Sequence, residues 1–258
     1  LQKAADQNVR HTEIFFDPQT HTERGIKFET LLRGIYRALS DAGRQLGLSS
    51  NLIMCFLRHL SAEEGMKTLK QALAFKDCIA AVGLDSAELG NPPEKFKHVF
   101  DLARRNGLKT VAHAGEEGPP EYIWQALKVL KAERIDHGVR CVEDPALVDY
   151  LVKKQVPLTI CPLSNVKLRI FDDMRQHNFK KMLNLGLCVT INSDDPAYFG
   201  GYIEDNFRAL HEAHGLDFQD IYAITRNAFK ASFLAPLEKQ KHLDELDEFV
   251  SDFARRHF

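Results

Sequence analysis

The sequence predicts an α/β protein of the TIM-type (β/α)8 barrel class. Three observations carry this expectation: short apolar runs recur along the chain, amphipathic stretches separate them at intervals of roughly 24–40 residues, and chemically active side chains gather where the runs end. The length of 258 residues suits a single barrel, which typically uses about 250. One domain spanning residues 1–258 is therefore expected.

The opening LQKAADQ reads as the end of a helix that leads into a first strand within VRHTEIFF at 9–16. Further strands are expected in NLIMCFL at 51–57, IAAVGLD at 79–85, LKTVAHA at 108–114, RIDHGV at 134–139, VPLTICP at 156–162 and LCVTINS at 187–193. Between them, PEKFKHVFDLARRNG, EYIWQALKVLKAE and DPALVDYLVKKQ repeat apolar residues at spacings of three and four, the period of a helix with one buried face. Gly47, Gly107 and Gly186 fall where helices should end, and Pro119, Pro120 and Pro145 where they should begin. Seven strands are counted where a closed barrel of this type has eight. The absent strand is expected before residue 1, so that the chain lacks its first βα unit. An open, doubly wound sheet is the alternative arrangement of the same elements.

Composition narrows the partners. Formal net charge is −2 with acids and bases interspersed, which leaves no electropositive face for phosphates, and nucleic acid is not expected as a partner. No apolar stretch approaches the ~20 residues of a membrane span and no basic-then-apolar leader opens the chain, so a soluble, cytoplasmic protein is expected. Cys55, Cys78, Cys141, Cys161 and Cys188 are scattered without a CxxC pair. They read as small buried apolar residues in a reducing compartment, not as disulfides, nucleophiles or a thiolate metal site.

In barrels of this kind, catalytic groups leave from the C-terminal ends of different strands. That rim would carry Asp17, Asp85 with Glu88, His113 with Glu116, Asp136 with His137, Ser164 with Asn165, and Asp194 with Asp195. The run LCVTINSDDP is the sharpest signal, because carboxylates at the end of a buried strand are costly unless a metal or a donor meets them. His113 and Asp194 are the candidate ligands of a divalent ion such as zinc, for which imidazole and carboxylate are suitable donors. Glu116, three residues beyond His113, is the candidate proton shuttle. His137 is the candidate for orienting a water and, as an imidazolium, for stabilising negative charge that develops on it. Taken alone His137 reads more readily as a satisfied core histidine; the rim as a set favours the functional role. His98, His177, His211, His214, His242 and His257 are expected to be solvated, and DELDE at 244–248 to be a solvated helix face.

The motifs HAGEE, RIDHGVR, ICPLSN and NSDDPAYFGGY resemble, in their order, those of the adenosine and adenine deaminases of the amidohydrolase superfamily, from about residue 9 to residue 230. EIFFDPQTHTERGI at 13–26 and SDDPAYFGGY are more similar to the adenine deaminases. The resemblance implies hydrolysis of adenine to hypoxanthine and ammonia in purine salvage, with one zinc ion per active site. It implies His113 and Asp194 as zinc ligands, Glu116 as general acid and base, His137 as the water-orienting group and Asp195 as a contact to purine N7. The family's other two ligands form an HxH motif on the first barrel strand, and no HxH occurs in these 258 residues, the gap that the strand count also reaches. Glu88, in GLDSAELG, falls where adenosine deaminases have a glycine near purine N3, and a carboxylate there could accept the N9–H of a free base. Deamination of adenosine or of an N6-substituted adenine is the alternative within the class. A metal-free purine-binding protein without catalysis is the alternative from another class.

Overall fold

The computed structural model describes residues 1–257. Its strands are β1 (His11–Phe16), β2 (Ser49–Leu57), β3 (Ala81–Asp85), β4 (Lys109–Ala114), β5 (Arg134–His137), β6 (Leu158–Ile160) and β7 (Val189–Ile191). Each predicted run yields one of them. All seven are parallel and stand in chain order, so that spatial neighbours are sequence neighbours. The helices Phe28–Leu46, Ala62–Ala72, Lys97–Arg105, Pro120–Gln125, Pro145–Lys154 and Phe179–Asn184 make the crossovers between them. The short helix Gln2–Asp6 leads into β1, as the opening residues suggest.

Alternation along β2 shows why the strands read as nearly continuous apolar runs. Ile53 and Cys55 pack with Ala81 and Val111 in one cluster, whereas Leu52, Met54 and Phe56 join the large cluster beneath the helices. A parallel strand covered on both faces has no solvent side to mark with polar residues. Phe56 illustrates the outer layer: its ring stacks on Phe96 and meets Phe100 edge-on, which seats the Lys97–Arg105 helix. The helix predicted from EYIWQALKVLKAE begins at Pro120, widens into a π-type turn over Ala126–Leu130, and stops at Lys131 with φ +60°. Four of the five cysteines are buried and all five are free, in keeping with their reading as small apolar residues. Among the described residues, no helix is long and apolar enough to cross a membrane.

The sheet is strongly curled, which settles the choice between barrel and open sheet. In a flat sheet β1 and β5 would lie about 19 Å apart and β1 and β4 about 14 Å apart, at about 4.8 Å per strand. Instead Glu13 of β1 bonds Arg134 of β5, and the rings of Phe15 in β1 and His113 in β4 lie 5.7 Å apart. β1 and β7 each pair on one side only, so the barrel wall is seven strands of the eight-stranded plan.

Glu13 is the clasp of this curl. One of its oxygens accepts from Arg134, and the other accepts from the Phe233 N–H and lies 3.3 Å from His11 Nε2. Burial by itself would raise the Glu13 carboxyl, but the His11 and Arg134 contacts and the Phe233 N–H hold it down at about 2, against 4.5 for an ordinary glutamate. A depressed folded-state value contributes stability that is present above pH 4.5 and is lost as the pH falls through about 2. Glu13→Gln is expected to lower the unfolding free energy by about 3 kcal/mol at pH 7. Calorimetry from pH 7 downward should show the gap in Tm between variant and parent closing below pH 4.5; a gap that does not change with pH would contradict the assignment.

Candidate active site

The ladder between β4 and β5 sets His113 beside Asp136, and Ala114 beside His137. His113 Nδ1 lies 3.3 Å from Asp136 Oδ2, an ion-pair distance without hydrogen-bond alignment. Asp136 is buried, and its other oxygen accepts from Thr159 Oγ1 at 2.7 Å. Burial would raise the Asp136 carboxyl, but His113, Arg134 and the Thr159 hydroxyl hold it below the usual range. Burial would likewise lower His113, yet contact with Asp136 and the charges of Asp136, Asp85 and Asp194 raise it to about 10.

A second set of contacts starts from a backbone group. The Phe179 N–H donates to His177 Nδ1 at 3.1 Å, so the proton of this imidazole sits on Nε2 and points at Asn165 Oδ1, 3.2 Å away. Burial, with His214 nearby, lowers His177 to about 3, so the ring stays neutral across the working range. With its oxygen taken by His177, Asn165 turns its Nδ2 group outward, 2.6 Å from Glu116 Oε1 and 3.2 Å from His137 Nδ1. Glu116 Oε1 and His137 Nδ1 are themselves 3.2 Å apart. Asn165 Nδ2 thus faces both Glu116 Oε1 and His137 Nδ1, and His137 Nε2 lies 3.9 Å from Asp194 Oδ2.

The structure thus gathers His113, Glu116, His137 and Asp194 at one rim; the His113 and His137 rings meet edge-on with centroids 4.8 Å apart. His137 and Asp194 both adopt left-handed backbone, with φ of +60° and +55°. That conformation costs roughly 1–3 kcal/mol in a residue with a side chain and persists where the surroundings dictate it. Asp194 and Asp195 lie beyond the end of β7 and are exposed, instead of ending a buried strand as expected. Asp195 opens the helix Pro196–Phe199 without making a side-chain cap.

Glu88 is not available to a base. It is buried, and its carboxylate accepts the backbone N–H groups of Gly115, Glu116, Glu117 and Gly118 at 2.6–3.0 Å. Oε2 takes three of these donors and Oε1 the fourth, so this buried carboxylate is committed to the loop. The N9–H contact expected from its place in the sequence is corrected accordingly.

The donor types suit a divalent cation. Asp136 behind His113 is the arrangement in which a carboxylate orients a metal-ligating imidazole and leaves Nε2 as the donor. A rim that raises His113 to about 10 favours positive charge at that spot, whether a proton or an ion. His137, Cys161 and Asp194 also bring nitrogen, sulfur and oxygen donors within 4.8 Å of one another, a group that does not include His113.

Three groups at the site were not assigned a role from the sequence. Asn165 stands among the rim residues only as a neighbour of Ser164, and Arg58 after β2 resembles any solvated arginine. His177, expected in solvent, is buried against Phe171, with ring centroids 4.4 Å apart, and near Phe179. The flanking phenylalanines were the available cue, and a weak one.

The family model described as adenosine deaminase matches residues 1–249. Adenine deaminases from Chlorobium phaeobacteroides and Hahella chejuensis are 57% and 56% identical to the chain, over 96% and 98% of its length and 74% and 75% of theirs. The crystal structure of adenine deaminase from Arthrobacter aurescens has a TM-score of 0.94 at 48% identity, covering 96% of this chain and 76% of that one. An amidohydrolase from Burkholderia ambifaria, solved with bound Zn, has a TM-score of 0.88 at 27% identity over 97% of this chain and 72% of its own. The chain belongs to the adenosine deaminase family and is by class a hydrolytic deaminase.

Asn165→Leu should strip His177 Nε2–H of its buried acceptor and free Glu116 and His137 from their common donor. Urea unfolding at pH 7 is expected to show a loss of about 2 kcal/mol. A variant within about 0.5 kcal/mol of the parent would mean that this network adds nothing to stability.

Proposed function

We propose that residues 1–258 act as one barrel domain that hydrolyses adenine to hypoxanthine and ammonia, in cytoplasmic purine salvage, with one zinc ion per active site. The observation that carries this reading is the contact set of Glu116, His137 and Asn165 beside Asp194 at the rim, in a chain whose near relatives bear the name adenine deaminase. The free cysteines suit a reducing compartment.

His113 and Asp194 would be the donors to the ion from this chain, and the ion would supply activation of water at neutral pH. Glu116 takes the proton of the attacking water and passes it to purine N1. Because Asn165 donates to Oε1, a proton carried by Glu116 sits on Oε2, the oxygen free to meet the base. Protonation at N1 lets the ring accept the electron pair displaced when C6 becomes tetrahedral. The remaining proton of that water, on the C6 hydroxyl, is then transferred to the exocyclic nitrogen; the C6–N bond breaks with its electron pair to release ammonia, and the C6 oxygen remains as the carbonyl of hypoxanthine. His137, with Nε2 toward Asp194, orients the attacking water. Asp195, exposed at the mouth, meets the N7 edge of the purine and holds the ring in register.

The test is absorbance-monitored turnover of adenine by the zinc-loaded chain, with adenosine and N6-methyladenine in parallel. Adenine is expected to be the preferred substrate, and Glu116→Gln to lower kcat at least about 100-fold with zinc content unchanged. Preference for a nucleoside, or a Glu116→Gln variant within about tenfold of the parent, would contradict the reading.

A further inference from the structure

We propose that Glu88 is a positioning residue for this reaction, one that sets the place of Glu116 through the backbone of the loop between them and does not touch the base. The inference rests on the deaminase reading above. Four successive N–H groups converge on one buried carboxylate: Gly115 on Oε1 at 2.6 Å, and Glu116, Glu117 and Gly118 on Oε2 at 3.0, 2.8 and 2.9 Å. Successive amides point inward together only when the chain curls around the anion as a nest. The two glycines of HAGEEG permit that curl. Gly115 has φ +72°, and a Cβ there would lie 2.4 Å from the Ile123 side chain. A Cβ on Gly118 would lie 2.6 Å from Glu88 Oε1 itself.

The charge of Glu88 has a counterpart. Arg58, fully buried just beyond β2, donates through Nη1 to the His113 carbonyl at 2.7 Å and through Nε to the Asn91 carbonyl at 2.9 Å. Burial draws the Arg58 guanidinium below its usual value, and Glu88 is the foremost charge opposing that change. Arg58 therefore holds the exit of β4 at His113, and Glu88 holds the turn that follows, with Glu116 between the two anchors. Neither anchor reaches the rim contacts of Glu116 with Asn165 and His137, so their influence on Glu116 passes through the main chain.

An amide cannot take over this task. Gln presents one acceptor oxygen and an NH2 group that would face N–H donors, and it lacks the charge that strengthens each bond. Loosening the turn displaces the Glu116 carboxyl, and a misplacement of about 1 Å costs on the order of 100-fold in rate. Substrate binding through other groups is unaffected, so the loss falls on kcat.

Hydrogen exchange of the 115–118 amides and steady-state kinetics on adenine, both on the zinc-loaded chain, test this in the parent, Glu88→Gln and Gly118→Ala. The second variant crowds the same carboxylate and keeps the test available if the first does not fold. Exchange across 115–118 is expected to rise at least about tenfold while kcat falls about 10–100-fold, with KM and the adenine to adenosine preference within about twofold of the parent. Unchanged exchange would overturn the proposal, and so would faster exchange at full kcat. A raised KM with an altered adenine to adenosine ratio would put Glu88 on the base and overturn it as well. A parent chain that turns over no purine would overturn the deaminase reading, and the positioning role with it, while the exchange data would still report whether Glu88 holds the loop.

Discussion

Seven parallel strands end on the same side, and that forces their last side chains into one partly buried rim where charge has to balance away from water. Asp17, Asp85, Glu88, Asp136 and Asp194 gather there against Arg58 and His113. The balance is reached differently at each place. Glu88 is met by backbone N–H groups, and Asp136 by Thr159 and His113. Asp85 is pushed well above the usual carboxylate range by burial and by the charge of Asp17. His113, surrounded by three of these acids, holds positive charge firmly. The same field that favours a proton on His113 is the field a divalent cation would find.

The orientation of the rim groups follows from one backbone donor. The Phe179 N–H sets the tautomer of His177, His177 sets which end of the Asn165 amide faces outward, and Asn165 sets which oxygen of Glu116 is free. Each link is a choice between two arrangements, and each is made by a group that cannot itself titrate near neutral pH: a peptide, an imidazole lowered to about 3, and a carboxamide. A proton at the rim therefore moves without reorganising the groups that aim it. Such preorganised dipoles are where enzymes obtain much of their rate. The left-handed backbone at His137 and Asp194 belongs to the same plan, because both side chains leave the barrel at angles an extended strand end would not give.

The strands were legible because a parallel sheet buried on both faces writes itself as apolar runs, and the gap of one strand was countable for the same reason. His113, Glu116, His137 and Asp194 were legible because each sits at the end of such a run or in the turn that follows. Glu88 was visible as a residue but not in its partners, since four converging amides are a property of loop shape that no side-chain pattern records. His177 reads as a solvated histidine in MRQHNFKK, and only the packing of Phe171 over it shows otherwise. Arg58 turns inward onto a carbonyl and is not distinguishable in sequence from a surface charge, whereas Asp136 was legible as a rim residue but its pairing with His113 and Thr159 was not. The exposure of Asp194 and Asp195 was misjudged because β7 is an edge strand that ends at Ile191, before the acids begin.

In the proposed reaction Glu116 meets the purine while Glu88 holds the loop that carries it. The most direct measurement is a crystal structure of the zinc-loaded chain with a purine analogue that is tetrahedral at C6. Glu116 Oε2 is expected at about 3 Å from N1, with Asp195 on N7 and Glu88 still enclosed by the amides of 115–118. A Glu88 carboxylate turned onto N9, or a purine seated away from Glu116, would contradict this arrangement.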